Sequence, residues 1–188
     1  MRKLRSSSIE EYAAWYIARD CKKHSLPATP ELIDNPVKVM KTCPAGKMRP
    51  WFGNQTRRSI VSLDSAKEIE SLVFLENEWT KKEGLVVPDG ENYWCLRRVA
   101  ENAIAGKYLQ RDAASRHKRY CDLLAKNELR IEGENRIALC SAEECEINSN
   151  PAAQYYLLDG VGRCLPYMML VIEQTLEFEP VEAFLAER

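Results

Sequence analysis

Tyr155-Tyr156-Leu157-Leu158-Asp159-Gly160-Val161-Gly162-Arg163 is the stretch on which the reading of this chain turns. Four residues of high strand preference run into Asp-Gly, a turn signal. The segment from Pro166 to about Gln174 then has helical spacing, with proline near the first turn, where its missing N–H is tolerated. Pro180 to Leu185 closes the unit as a strand, with Val181, Ala183 and Leu185 on one face. Two glycines let the backbone approach an anion closely, the helix that follows directs unpaired N–H groups at it, and Arg163 offers a forked, charge-assisted contact. Asp159, Gly160, Gly162 and Arg163 are therefore the candidate phosphate-binding residues. The plainer alternative is a strand-to-helix turn in which both glycines supply positive φ and Arg163 pairs with a carboxylate. The loop is not a Walker loop, which ends in Gly-Lys-Ser/Thr, and it lacks the third glycine of the dinucleotide fingerprint.

Upstream, Glu128-Leu129-Arg130-Ile131 and Arg136-Ile137-Ala138-Leu139-Cys140 flank Gly133-Glu134-Asn135 and predict a hairpin. Earlier still the pattern is helical. Ser8 is a good N-cap for a helix reaching His24, with Glu10 and Glu11 at its positive end, Lys22 and Lys23 at its negative end, and Ile9, Tyr12, Ala13, Tyr16 and Cys21 on its apolar face. Ser65 and Glu68 have capping-box spacing and open a second helix that runs through Leu72, Val73 and Trp79 to Gly84. Helices are also expected from Tyr93 to about Tyr108 and from Asp112 to about Lys126, after a turn at Pro88-Asp89-Gly90. Five prolines between Leu26 and Gln55 mark an irregular connection, with one short edge strand at 37–40. The expected class is α+β: a mainly helical region over 1–126 and a mixed α/β region over 127–188, packed as one globular unit.

At 188 residues with 45% hydrophobic content, the chain is long enough for one substantial core. No run approaches the roughly 18 consecutive apolar residues of a membrane span, so no membrane partner is expected. Seven cysteines without a Cys-x-x-Cys pair, and a basic start followed by Glu10 and Glu11 rather than an apolar segment, predict reduced thiols and a cytoplasmic protein. The net charge of −1 conceals segregation: residues 1–60 carry +7, 61–90 carry −4, 91–126 carry +4 and 127–188 carry −8. Such blocks either pair internally or present a basic face to an anionic partner.

Arg111, Arg116, Lys118 and Arg119 make the 111–120 helix the candidate nucleic-acid-binding element, and helix, turn, helix and hairpin is the order of a winged-helix DNA reader. A solvated helix face is the alternative. His117 and Cys121, four apart, and Cys21 with His24 are pairs rather than complete ligand sets, so no metal site is assigned. With only those two histidines and no nucleophile motif, no catalytic residues or cofactor are assigned, and the balance is against an enzyme.

Residues 155–188 resemble the strand, Asp-Gly-x-x-Arg loop, helix and strand of the ParB/sulfiredoxin-like superfamily, with Asp159, Gly160 and Arg163 matching by position. Val161 and Gly162 stand where that family usually has histidine. Cys164 follows the arginine instead of preceding it, so sulfinic-acid reductase chemistry is not carried over. The resemblance implies a binding protein whose loop contacts phosphates of a nucleotide or nucleic acid. The alternative from another class is a protein-interaction or structural module, with Trp15, Trp51 and Trp79 serving a protein partner.

Overall fold

Among the described residues six strands form one mixed sheet, and the chain enters it from both ends. The computed structural model describes residues 1–25, 56–74, 95–107, 111–143 and 153–187, with isolated positions 27, 29, 34, 35 and 37. For residues 20, 23, 24 and 111–113 it describes the backbone alone. Most of the Pro-rich connection with its expected strand, the 88–90 turn, Trp51 and Trp79 lie outside these residues.

The elements in chain order are β1 (Arg2–Ser6), α1 (Ile9–His24), β2 (Arg57–Leu63), α2 (Ala66–Glu70), β3 (Val73–Phe74), α3 (Leu96–Ile104), α4 (Arg111–Ala125), β4 (Ile137–Ser141), β5 (Tyr155–Asp159), α5 (Val161–Ile172) and β6 (Val181–Glu187). Across the sheet the order is β1-β2-β6-β4-β5-β3. The pairs β6/β4 and β5/β3 are parallel and the other neighbours antiparallel. The architecture is α+β, as the sequence predicts.

The portion expected to be mainly helical supplies three of the six strands, β1, β2 and β3. β1, the run Arg-Lys-Leu-Arg-Ser, is exposed along its whole length, and no strand is expected there from sequence. Ladder bonds to β2 hold it as an edge strand, with Arg2 Nε donating to Asp64 at 2.8 Å.

Capping forecasts the helix starts. Ser8 Oγ accepts from the Glu11 N–H at 3.2 Å, and Glu68 accepts from the backbone of Ser65 at 3.2 Å. The helix opened by Ser65 does not run on to Gly84, however; it ends at Glu70, and Val73 and Phe74 pair with Tyr156 and Leu157 instead. Burial beside a strand outweighs the helical spacing of Leu72 and Val73.

The expected 129–140 hairpin is not formed. Gly133–Asn135 is a 3-10 turn, and β4 lies between β6 and β5. The reason is in its composition. Ile137, Ala138, Leu139 and Cys140 are all buried, and an apolar run without alternation needs cover on both faces. The 128–131 segment does not pair with β4, whose two edges are taken by β5 and β6, and it sends Ile131 into the core instead.

The cross-strand row Ile60, Phe184, Ala138 and Asp159 lies on one face of the sheet. α1 covers that row, with the Tyr12 and Trp15 rings centred 5.4 Å and 4.9 Å from Phe184. On β6, Val181, Ala183 and Leu185 of the opposite face are equally buried, and Val181 lines a small cleft with Leu124 of α4 and Tyr167 of α5. Helices therefore cover β6 from both sides.

Phe184→Ala is expected to destabilise the protein by about 3–5 kcal/mol, because the ring is 1% exposed and anchors α1. Urea unfolding followed by circular dichroism checks this.

Candidate functional site

Asp159 ends β5 and the chain turns immediately into α5. Gly160 makes that turn possible: its φ is +105°, and a Cβ on it would lie 2.5 Å from Cγ2 and 2.9 Å from Cβ of Ile137. Both the conformation and the neighbouring strand exclude a side chain. Gly162 differs from expectation. It sits in the first turn of α5 rather than at positive φ, and a Cβ there would meet only Tyr120, at an ordinary 3.8 Å.

α5 starts at Val161, five residues before the expected Pro166. The N–H groups of Arg163 and Cys164 both donate to the Gly160 carbonyl at 2.9 Å. No side chain caps this end, and the N–H groups of Val161 and Gly162 have no intrahelical acceptor by position. Pro166 lies inside the helix, so the carbonyl of Gly162 receives no bond from it.

Arg163 does not project its fork into solvent. Its side chain is 12% exposed, Nη2 donates to the Arg136 carbonyl at 2.8 Å, and the same atom lies 3.6 Å from Asp159 Oδ2. Nε is buried without a hydrogen-bond partner among the described residues. Burial and then the neighbouring Arg19 lower the pKa of Arg163, with Asp159 opposing them. Asp159 Oδ2 also forms an ion pair with Arg19 Nη1. One carboxylate oxygen thus stands between two guanidinium groups. Arg19 is held in turn by the rings of Trp15, 4.7 Å from its guanidinium carbon, and Tyr16, at 5.6 Å.

These groups form the floor of a cavity of about 790 Å³ beyond the carboxyl end of β5. α1 contributes Trp15, Ala18, Arg19 and Lys22, and α4 contributes Arg116, Arg119, Tyr120 and Leu123. Both sets follow the spacing i, i+3, i+4, i+7, one face of a helix. Glu134 and Asn135, ahead of β4, complete the rim. Glu134 accepts from Trp15 Nε1 through its backbone carbonyl at 2.9 Å and from Lys22 through its carboxylate at 3.2 Å. Among the described residues, five cationic side chains and two carboxylates line this cavity, an electropositive balance.

The structure therefore divides the residues that sequence singled out. Asp159, Arg163, Arg116 and Arg119 meet at one cavity, although the loop and the helix were read as separate candidates. Gly160 shapes the turn at the floor. Lys118 is exposed but does not line the cavity, and the side chain of Arg111 lies outside the described residues. Arg19 and Lys22 were not singled out as site residues; Lys22 was read as a complement to the helix dipole. Their stripe with Trp15 and Ala18 was the available signal.

The remaining chemistry-bearing residues of α4 face inward. His117 is 3% exposed. Burial, with a smaller contribution from Arg116, lowers its pKa to about 4. Cys121 Sγ lies 3.9 Å from the Pro166 carbonyl, and burial raises its pKa to about 11. Cys164, fully buried beside Arg163, is pushed up to about 12. These thiols are protonated packing groups at neutral pH. No cluster of three or more metal-ligating side chains occurs among the described residues, and the side chain of His24 lies outside them.

Gly160→Ala is expected to cost about 2–4 kcal/mol, from steric overlap with Ile137 and left-handed strain together. Gly162→Ala should be neutral or stabilising by up to about 1 kcal/mol. Chemical denaturation of the two variants side by side distinguishes the glycine required by the turn from the one that is not.

His117 also carries a pH signature. Its folded pKa of about 4 lies below the usual histidine value of 6.5. Between those values the unfolded chain takes up a proton that the folded chain refuses, so this contribution to stability is present above about pH 6.5 and is lost as pH falls towards 4. The urea midpoint is expected to drop over this window, and to drop less in His117→Gln.

No protein-family model, curated protein or solved structure matches the chain.

Proposed function

We propose that this protein binds a phosphate-bearing ligand, a nucleotide or a segment of nucleic acid, in the cavity between α1, α4 and the start of α5. The observation that carries the proposal is convergence. Arg19 and Lys22 from one helix and Arg116 and Arg119 from another, about a hundred residues away, line the same cavity as Arg163. A solvated charged face would not require two helices to aim cations at a shared space. The volume lies within the range of about 300–1,000 Å³ usual for small-molecule sites, and Tyr120 and Leu123 give it an apolar wall. The resemblance of residues 155–188 to the ParB/sulfiredoxin-like superfamily points to the same class of ligand.

Roles within the site follow from exposure. Arg116 and Arg119 are exposed and Arg163 is nearly buried, so the first two meet the ligand phosphate, while Arg163 fixes the floor by tying α5 to the Arg136 carbonyl. Charge-assisted contacts of this type are worth about 1.5–3 kcal/mol each.

In titrations with nucleoside phosphates and short oligonucleotides, Arg116→Ala and Arg119→Ala are each expected to weaken binding about 10-fold to 100-fold, the equivalent of those contact energies. Lys118→Ala should leave affinity within about twofold, since an exposed cation outside the cavity contributes little beyond screened attraction. Equal losses at all three positions would point to a diffuse basic surface and overturn the cavity reading.

A further inference from the structure

The innermost cations of the cavity already have an anion between them. Arg19 pairs with Asp159 Oδ2, and Arg163 Nη2 lies 3.6 Å from the same oxygen. Neither guanidinium is loosely placed. Arg19 lies against Trp15 and Tyr16, and Arg163 is anchored on the Arg136 carbonyl at 2.8 Å. Two fixed guanidinium groups converging on one point make an oxyanion subsite, and in this chain a carboxylate from β5 fills it. Side-chain exposures of 21% for Arg19, 23% for Asp159 and 12% for Arg163 place the cluster at the floor, where like-charge repulsion is screened less than at the rim.

We propose that Asp159 is the specificity-determining residue of the cavity: a built-in anion that occupies the floor subsite between Arg19 and Arg163, excludes phosphate from it, and confines the ligand phosphate to Arg116 and Arg119 nearer the mouth. This rests on the phosphate reading for the identity of the ligand. The floor subsite itself can be tested without it. The proposal also alters what the Asp-Gly-x-x-Arg pattern does in this chain. Its aspartate and arginine are partners in a closed pair rather than two contacts to one ligand. A ligand with a single phosphate and an uncharged remainder fits such a site, with its neutral end inward.

The test uses inorganic phosphate as probe, measured by calorimetry on the full chain. Asp159→Asn, which removes the charge that holds the side chain between Arg19 and Arg163, is expected to bind phosphate at least about tenfold more tightly than the wild type. That gain should disappear in Arg19→Gln/Asp159→Asn and persist in Arg119→Ala/Asp159→Asn, because it belongs to the floor and not to the mouth. A general effect of removing one negative charge would survive both second substitutions equally, and that result overturns the proposal, as does the absence of any gain. If the wild type binds no phosphate ligand while Asp159→Asn gains an Arg19-dependent site, the floor subsite stands and the proposed function fails. Folding of each variant is checked by circular dichroism, with Asp159→Ser as a second neutral replacement. If both neutral variants unfold, Asp159 is a structural counter-ion and the proposal falls.

Discussion

The close approach of Gly160 to Ile137 is the constraint from which the site follows. β4 must lie against β5 to complete the centre of the sheet, yet the chain must leave β5 for α5 at that same point. A backbone with φ of +105° and no Cβ is the local solution. Once the turn is made there, Arg163 falls one helical turn beyond Asp159, within reach of the Arg136 carbonyl that leads into β4. The floor of the cavity is thus a consequence of strand packing before it is a matter of ligand chemistry.

Helix α1 supplies the second half of the same geometry. Tyr12 and Trp15 pack on Phe184, which fixes the axial rotation of the helix on the sheet. Arg19, one turn beyond Trp15, is then directed at Asp159 on the same cross-strand row as Phe184. Core packing and site assembly are therefore coupled through a few residues, and a change that rotates α1 moves Arg19 with it. The same reasoning applies to α4. Its buried side, His117 and Leu124 with half-buried Cys121, docks on the rest of the molecule and leaves Arg116, Arg119 and Tyr120 at the cavity.

Features governed by local chemistry were legible in the sequence. Ser8 and Ser65 marked helix starts, Tyr155 to Leu158 marked a strand, and the Asp-Gly turn stood where it was expected. What depended on distant partners was not legible. β1 is four charged or polar residues around Leu4, a run that becomes a strand because β2 lies beside it. The run Ile137 to Cys140 is read from sequence as one arm of a hairpin; its unbroken apolar character suits a central strand, but the partner that makes it one, β6, comes from the far end of the chain. Gly162 carried the same local signal as Gly160. The differences between them are the positive φ and the overlap with Ile137 at Gly160, against only an ordinary 3.8 Å contact with Tyr120 at Gly162.

Charge segregation along the chain also acquires a spatial meaning. The basic first block supplies Arg19 and Lys22, the basic third block supplies Arg116 and Arg119, and the acidic last block supplies Glu134 and Asp159. Among the pairs that these residues form are Lys22 with Glu134 and Arg19 with Asp159. Internal neutralisation and a basic surface had stood as alternatives, yet in the fold they occupy different depths of one cavity. Asp159 lies between the inner cations and Glu134 pairs with Lys22, while Arg116 and Arg119 of α4 are exposed arginines that line the same cavity. In the proposed reading, an electropositive mouth over an internally paired floor would attract anions without drawing them to the bottom, because Coulomb attraction at the rim acts on approach while Asp159 repels at contact distance.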